Sequence, residues 1–219
     1  MPAYKIIIFD LDGTLVNAYK AVYRSINYAM TACGFPRISA HVVKRSVGWG
    51  DKHLIEGFVG KKKSPGVLKI YRRHHTEALK TGVTFLPGAK RVINGLKRQG
   101  YLLAIASNRP TRFTKSILQN LKIEDHFDYV LCGDRSRRPK PHPDMLWQIL
   151  KKYKLSREDA LFVGDMTIDA QTGRAAKVET VVVLTGSSTR AEIKVFKPSK
   201  IIMNISQLIP IITTRKEST

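Results

Sequence analysis

Short apolar runs that end in an acid, a small polar residue or glycine recur along the chain: KIIIFD, YLLAIASN, DYVLCGD, ALFVGD and TVVVLTG. Runs of this length without alternation predict strands buried on both faces, as in parallel sheets. Between them the period changes. GAKRVINGLKRQG places Ala89, Val92, Ile93 and Leu96 on one helical face and stops at Gly100, and RPTRFTKSILQNL follows the second run with a helical pattern of its own. Strand and helix in alternation predict an α/β fold with a Rossmann-like parallel-sheet core.

One interval breaks the alternation. From Asn17 to about Lys80 only helical stretches are found. The first carries Val22, Ile26, Ala29, Met30 and Cys33 and closes at CGFP; the second is SAHVVKRSV, with Ser39 as its cap and Gly48 as its end. DKHLIEGF follows, and past GKKKSPG comes a helix with Val67, Ile70, Tyr71 and Ala78. The expectation is an inserted helical cap domain over residues 16–80, with residues 1–15 and 81–219 forming the α/β core. Linkers after Thr14 and near KTGVTFLPG would let the cap rock over the strand ends. TTRKEST at the C-terminus reads as frayed.

With 219 residues, 43% of them hydrophobic, the chain can bury one core and a smaller second one. Charged residues at 25% and aromatics at 8% exclude a disordered, fibrous or disulfide-stapled class. The net charge of +21 attracts phosphates and nucleic acids, and bears on association rather than on fold. Cys33 and Cys132 are far apart and sit among apolar residues, so buried reduced thiols and a cytoplasmic location are expected. No run approaches the ~18 apolar residues of a membrane span, so no membrane association is expected.

In open α/β sheets ligands bind beyond the carboxyl ends of the strands, and Asp10, Ser107, Asn108, Gly164 and Asp165 all fall there. Two carboxylates ~4 Å apart repel by roughly 4 kcal/mol at an effective dielectric of 20. Asp10, Asp12, Asp165 and Asp169 therefore call for a cation, and their all-oxygen donors favour a hard one such as Mg2+.

Four motifs in order, DLDGT (Asp10 to Thr14), SN (Ser107, Asn108), KPHPD (Lys140 to Asp144) and GDMTID (Gly164 to Asp169), resemble those of the haloacid dehalogenase superfamily, specifically its phosphoglycolate phosphatase-like branch. The resemblance spans nearly the full chain, including GRAAKVETVVVLTGSSTRAE, and the helical insertion falls where that family carries its cap. It implies that Asp10 is a nucleophile forming an aspartyl phosphate and that Asp12 serves as acid and then base. Gly13 would free the backbone to turn, and Thr14 would hold the loop and help bind substrate. Ser107 and the amide of Asn108 would grip phosphoryl oxygens, and Lys140 would neutralise the charge there. Asp165 would hold magnesium with Asp10 and the backbone carbonyl of Asp12, and Asp169 would support it directly or through water.

Trp49, in VGWGDKHL, either closes over the substrate or packs inside the cap. His74 and His75, beside Arg72 and Arg73, read as a solvated basic face. Arg135, Arg137 and Arg138 read equally as a plain basic loop or as a site for a second negative group.

The expected function is hydrolysis of a small phosphorylated metabolite, a phosphoglycolate-like monoester. A sugar phosphomutase or a pyrophosphatase on the same core is the enzymatic alternative. A nucleic-acid-binding protein is the alternative of another class: GKKK, YRRHH and KKYK favour it, while the lack of interleaved aromatics and of any helix-turn-helix, zinc or RNP signature opposes it. The oligomeric state stays open.

Overall fold

A computed structural model describes residues 4–217, with side chains through Thr213. The end of TTRKEST, Ser218 and Thr219, lies outside the described residues. The chain begins with β1 (Ile6–Phe9) and a short β2 (Val16–Asn17), then runs through α1 (Tyr19–Ala32), α2 (Ala40–Ser46) and α3 (Asp51–Thr81). It returns through β3 (Thr84–Phe85), α4 (Ala89–Arg98), β4 (Leu102–Ser107), α5 (Thr111–Asn120) and β5 (Tyr129–Cys132). The last part is α6 (Asp144–Tyr153), β6 (Ala160–Gly164), α7 (Thr167–Ala176), β7 (Glu179–Val183), α8 (Arg190–Lys194), β8 (Lys200–Ile202) and α9 (Leu208–Glu217).

Six strands form one parallel sheet in the order β5-β4-β1-β6-β7-β8. The order turns around at β1 and β6, and such a switch point opens a crevice beyond the strand ends. Every residue of β1 is buried, which explains its unbroken IIIF. Ile7 and Phe9 pack with Val92, Ile93, Phe113 and Ile117 on one face; Ile6 and Ile8 pack with Met145, Leu146 and Ile149 on the other. The result is the three-layer α/β architecture that the sequence pattern predicts.

The inserted helical region has an apolar cluster of its own, in which Val22, Ile26 and Met30 of α1 meet Val43 of α2 and Leu54, Ile55, Val67 and Tyr71 of α3. Ser39 caps α2 as expected, accepting from the Val42 amide at 3.3 Å, but the helix closes at Val47 rather than Gly48. α3 is two helical pieces joined at Gly60, whose φ of +76° only glycine adopts readily. The two linkers are not loose strings: Val16 pairs with Phe85 and Asn17 with Thr84, so β2 and β3 zip them into an antiparallel ribbon. β8, a sixth strand, is also unanticipated. Cys132 is buried as expected, whereas Cys33 is only half-buried; both are free thiols. Among the described residues no helix is long and apolar enough to cross a membrane.

Candidate active site

Parallel register brings three strand ends together. Phe9 is level with Ile105 of β4 and Val163 of β6, and the Asp10 amide donates to the Val163 carbonyl at 2.8 Å. Asp10 thus emerges between Ser107, the last residue of β4, and Asp165, the first after β6. Gly13 turns the chain at a φ of +85°, and a Cβ there would strike Asp165 Oδ2. Only glycine meets both demands.

Asp10, Asp165 and Asp169 are 7%, 1% and 1% exposed, and each offers one carboxylate oxygen within 4.8 Å of the others. Lys140 stands among them. Its Nζ donates to Asp10 Oδ1 at 2.6 Å and to Asp169 Oδ1 at 2.7 Å. The second Asp169 oxygen accepts from the amides of Asp165 and Met166 at 3.2 and 3.1 Å. Burial first, then repulsion from Asp169 and Asp12, pushes the Asp10 carboxyl up to about 7 against the attraction of Lys140. Asp165 lies well above the usual carboxylate range, again through burial first and then through Asp10 and Asp169. Burial opposes the charge on Lys140, but Asp10 and Asp169 outweigh it and hold the ammonium above its ordinary value.

One lysine does not balance three acids, and Asp165 Oδ2 is buried with no hydrogen-bond partner. Gly13 and Gly186 both leave room beside that oxygen. An orphaned carboxylate oxygen, surplus negative charge and an all-oxygen donor set fit a hard divalent cation, which Asp10, Asp165 and Asp169 could hold.

The structure arranges the other expected residues differently. A cavity opens beyond the ends of β1, β4 and β6, lined by Asp10, Asp12, Lys140 and Asp165 among others. Asp12 lines this cavity but stands outside the three-acid group, and Arg109 grips its carboxylate as a fork, Nε to Oδ2 at 2.7 Å and Nη2 to Oδ1 at 2.8 Å. Thr14, fully buried and donating to Asp165 Oδ1 at 3.1 Å, holds an acid and does not line the cavity. Ser107 lines the cavity, and its Oγ accepts from the Arg109 amide at 3.2 Å. The Asn108 side chain ties three segments together: Nδ2 donates to the Gly48 and Lys140 carbonyls at 3.0 and 2.9 Å, and Oδ1 accepts from the Lys140 amide at 2.9 Å. Gly48 and Gly50 reach the cavity, but Trp49 between them does not; it is 44% exposed and tilts against His53. Neither reading of Trp49 describes that position. None of Arg135, Arg137 and Arg138 lines the cavity, and Arg138 instead pairs with Asp144 at 2.9 Å.

His75 corrects the expectation of a solvated basic face: it is 0% exposed and its Nε2 lies 2.7 Å from Arg109 Nη1. Arg109 itself escaped notice in the sequence, although its place directly after Ser107 and Asn108 put a cation at the end of β4. Tyr19 was missed as well. Its hydroxyl is buried without a hydrogen-bond partner on the cavity wall, and burial followed by Asp165 raises the phenol above its ordinary value. Around these groups the wall is apolar, with Val22, Val47, Leu54 and Tyr71 from the helical region facing Phe113, Met166 and Ile168 from the core.

Comparison with known proteins agrees with this architecture. The family model for haloacid dehalogenase-like hydrolases matches residues 7–183. Phosphoglycolate phosphatase of Pasteurella multocida is 30% identical over 223 residues, covering 97% of this chain and 100% of the relative. Phosphoglycolate phosphatase 1 of Pseudomonas aeruginosa is 26% identical over 215 residues, covering 94% and 79%. The crystal structure of a predicted phosphoglycolate phosphatase from Haemophilus somnus superposes with a TM-score of 0.90 at 27% identity, over 96% of this chain and 99% of that one. The chain belongs to the haloacid dehalogenase-like hydrolases.

Proposed function

We propose that this protein is a magnesium-dependent phosphatase acting on a small phosphate monoester, with phosphoglycolate the first compound to test. The observation that carries the reading is the Lys140 ammonium bridging Asp10 and Asp169 beside the unpartnered oxygen of Asp165. Such an arrangement suits a nucleophilic carboxylate facing an anionic phosphoryl group. The relatives named above support the substrate class.

In this reading an Asp10 oxygen attacks phosphorus, the bond from phosphorus to the ester oxygen breaks, and Asp12 gives that oxygen a proton. Asp12 then takes a proton from water, the water oxygen attacks phosphorus, and the bond to Asp10 breaks to release inorganic phosphate. Ser107 and the Asn108 amide orient the phosphoryl oxygens. Lys140 offsets the negative charge gathering on Asp10 and the phosphoryl group. Asp10, Asp165, Asp169 and the Asp12 carbonyl would hold magnesium, which when bound supplies positive charge to the phosphoryl oxygens. Residues 16–80 act as a cap over a core of residues 1–15 and 81–219, with the β2–β3 ribbon as the hinge. The free thiols of Cys33 and Cys132 fit a cytoplasmic setting.

The test is phosphate release from a panel of phosphate monoesters and pyrophosphate, with magnesium and with chelator. Magnesium-dependent release from a monoester supports the phosphatase. Isomerisation of a sugar phosphate without release would replace it with a mutase, and release from pyrophosphate alone would replace it with a pyrophosphatase.

A further inference from the structure

Asp12 and the helical region are joined by an unbroken chain of polar contacts, part-buried at Arg109 and buried at His75 and Ser25. Arg109 uses Nε and Nη2 on the two Asp12 oxygens at 2.7 and 2.8 Å, and its remaining nitrogen, Nη1, meets His75 Nε2 at 2.7 Å. Across the ring, His75 Nδ1 lies 3.0 Å from Ser25 Oγ. The Arg109 guanidinium can only donate, so His75 Nε2 accepts and Nδ1 carries the proton that it gives to Ser25 Oγ, a hydroxyl that also contacts the Ala21 carbonyl at 2.8 Å and His74 Nδ1 at 3.1 Å. This fixes the tautomer: Nε2 carries the lone pair and accepts from the guanidinium. Burial first, then the Arg109 charge, holds the imidazole down to about 2, which keeps the ring neutral and able to accept.

The ring has little freedom. Tyr71 stacks on it at 4.9 Å and Phe113 meets it edge-on at 4.9 Å. Ser25 and His75 belong to α1 and α3, whereas Arg109 and Asp12 belong to loops at the sheet. Arg109 thus has one end on the acid/base candidate and the other on the helical region. Its fork takes one lone pair from each Asp12 oxygen and leaves another on each, so it orients the carboxyl without using it up.

We propose that Arg109 is the positioning residue for Asp12, and that His75 makes this positioning conditional on the helical region being seated over the sheet. The proposal rests on the reading of Asp12 as the acid that protonates the leaving oxygen. A seated cap delivers the His75 acceptor, the guanidinium is held on three sides, and Asp12 faces the leaving group. A displaced cap withdraws one side, and the fork loosens.

The test uses leaving-group dependence, which a merely structural role would not produce. An alkyl phosphate needs its departing oxygen protonated, while p-nitrophenolate departs without help. kcat/KM is measured for both esters in wild type, Arg109→Lys, His75→Phe, His75→Gln and Asp12→Asn, with thermal melting as the check on folding. Arg109→Lys keeps the charge and loses the fork; it is expected to lower kcat/KM for the alkyl ester roughly a hundredfold and for p-nitrophenyl phosphate by less than about threefold. His75→Phe keeps the ring stack without the acceptor and should lose about tenfold on the alkyl ester alone, with His75→Gln restoring most of it. Should His75→Phe not fold, Arg109→Lys decides the matter. Equal losses on both esters in Arg109→Lys and His75→Phe, beside a leaving-group-dependent loss in Asp12→Asn, would overturn the positioning role alone. Equal losses in Asp12→Asn too would overturn the acid role of Asp12 and this proposal with it.

Discussion

The Lys140 ammonium donates to Asp10 Oδ1 across 2.6 Å while both residues are more than nine-tenths buried. A buried ion pair is a poor source of net stability, because desolvation takes back most of the Coulombic gain, yet breaking it by removing one partner is costly. Lys140→Met should therefore destabilise the metal-free protein by about 3 kcal/mol at neutral pH or above. The loss should shrink in mild acid, where Asp10 can take a proton instead. Urea unfolding at two pH values measures this; a loss of the same size at both would show that the pair matters only as packing.

The pH dependence of stability has two parts of opposite sign. Asp10, raised to about 7, and Asp165, raised well above 3.8, bind protons more readily folded than unfolded. The Asp10 contribution is fully present below its ordinary value of 3.8 and is lost as pH rises through about 7, and Asp165 adds a contribution of the same sign. His75, lowered from 6.5 to about 2, contributes stability above 6.5 that is lost as pH falls below it. Metal-free protein should thus melt lower at about pH 8 than at about pH 7, a range in which the unfolded His75 is already mostly neutral and the folded one does not titrate. Asp10→Asn should flatten that limb, and His75→Phe should flatten the acid limb just below pH 6.5. An unchanged basic limb in Asp10→Asn would remove Asp10 as its source.

Asn108 is held by its amide nitrogen as much as by its oxygen, since Nδ2 serves the carbonyls of both Gly48 and Lys140. Asn108→Asp would set a carboxylate oxygen against two acceptors. It should destabilise by roughly 2–3 kcal/mol and by more than Asn108→Ala, although Asp is the closer mimic in shape. Denaturant unfolding of the pair checks the order; Asp as stable as Ala would contradict the orientation of this amide.

What the sequence showed and what it hid follow from distance along the chain. β1, β4, β5, β6 and β7 were legible because each is a short apolar run buried in the sheet. β8 was not: it has three residues, begins with exposed Lys200, and looks like loop. β2 and β3 are two residues each and exist only through pairing across the whole helical insertion. The acid cluster was readable because Asp10, Asp165 and Asp169 follow strands whose ends must converge. Arg109 and His75 were hidden because their partners lie 97 and 50 residues away, and because HH beside RR has the local appearance of a wetted surface. Thr14 had a visible role in the loop, but only the fold reveals that its hydroxyl is spent on Asp165.

The proposed reaction depends on Asp10 as the group that receives the phosphoryl. Rapid-quench intact-mass measurement during turnover, with borohydride trapping and peptide mapping, tests this directly. A transient gain of one phosphoryl group in the intact mass, which borohydride converts to homoserine at position 10 with loss of phosphate and which is absent in Asp10→Asn, is the predicted result. Full turnover by Asp10→Asn, or a phosphoryl group mapped to another residue, would contradict it.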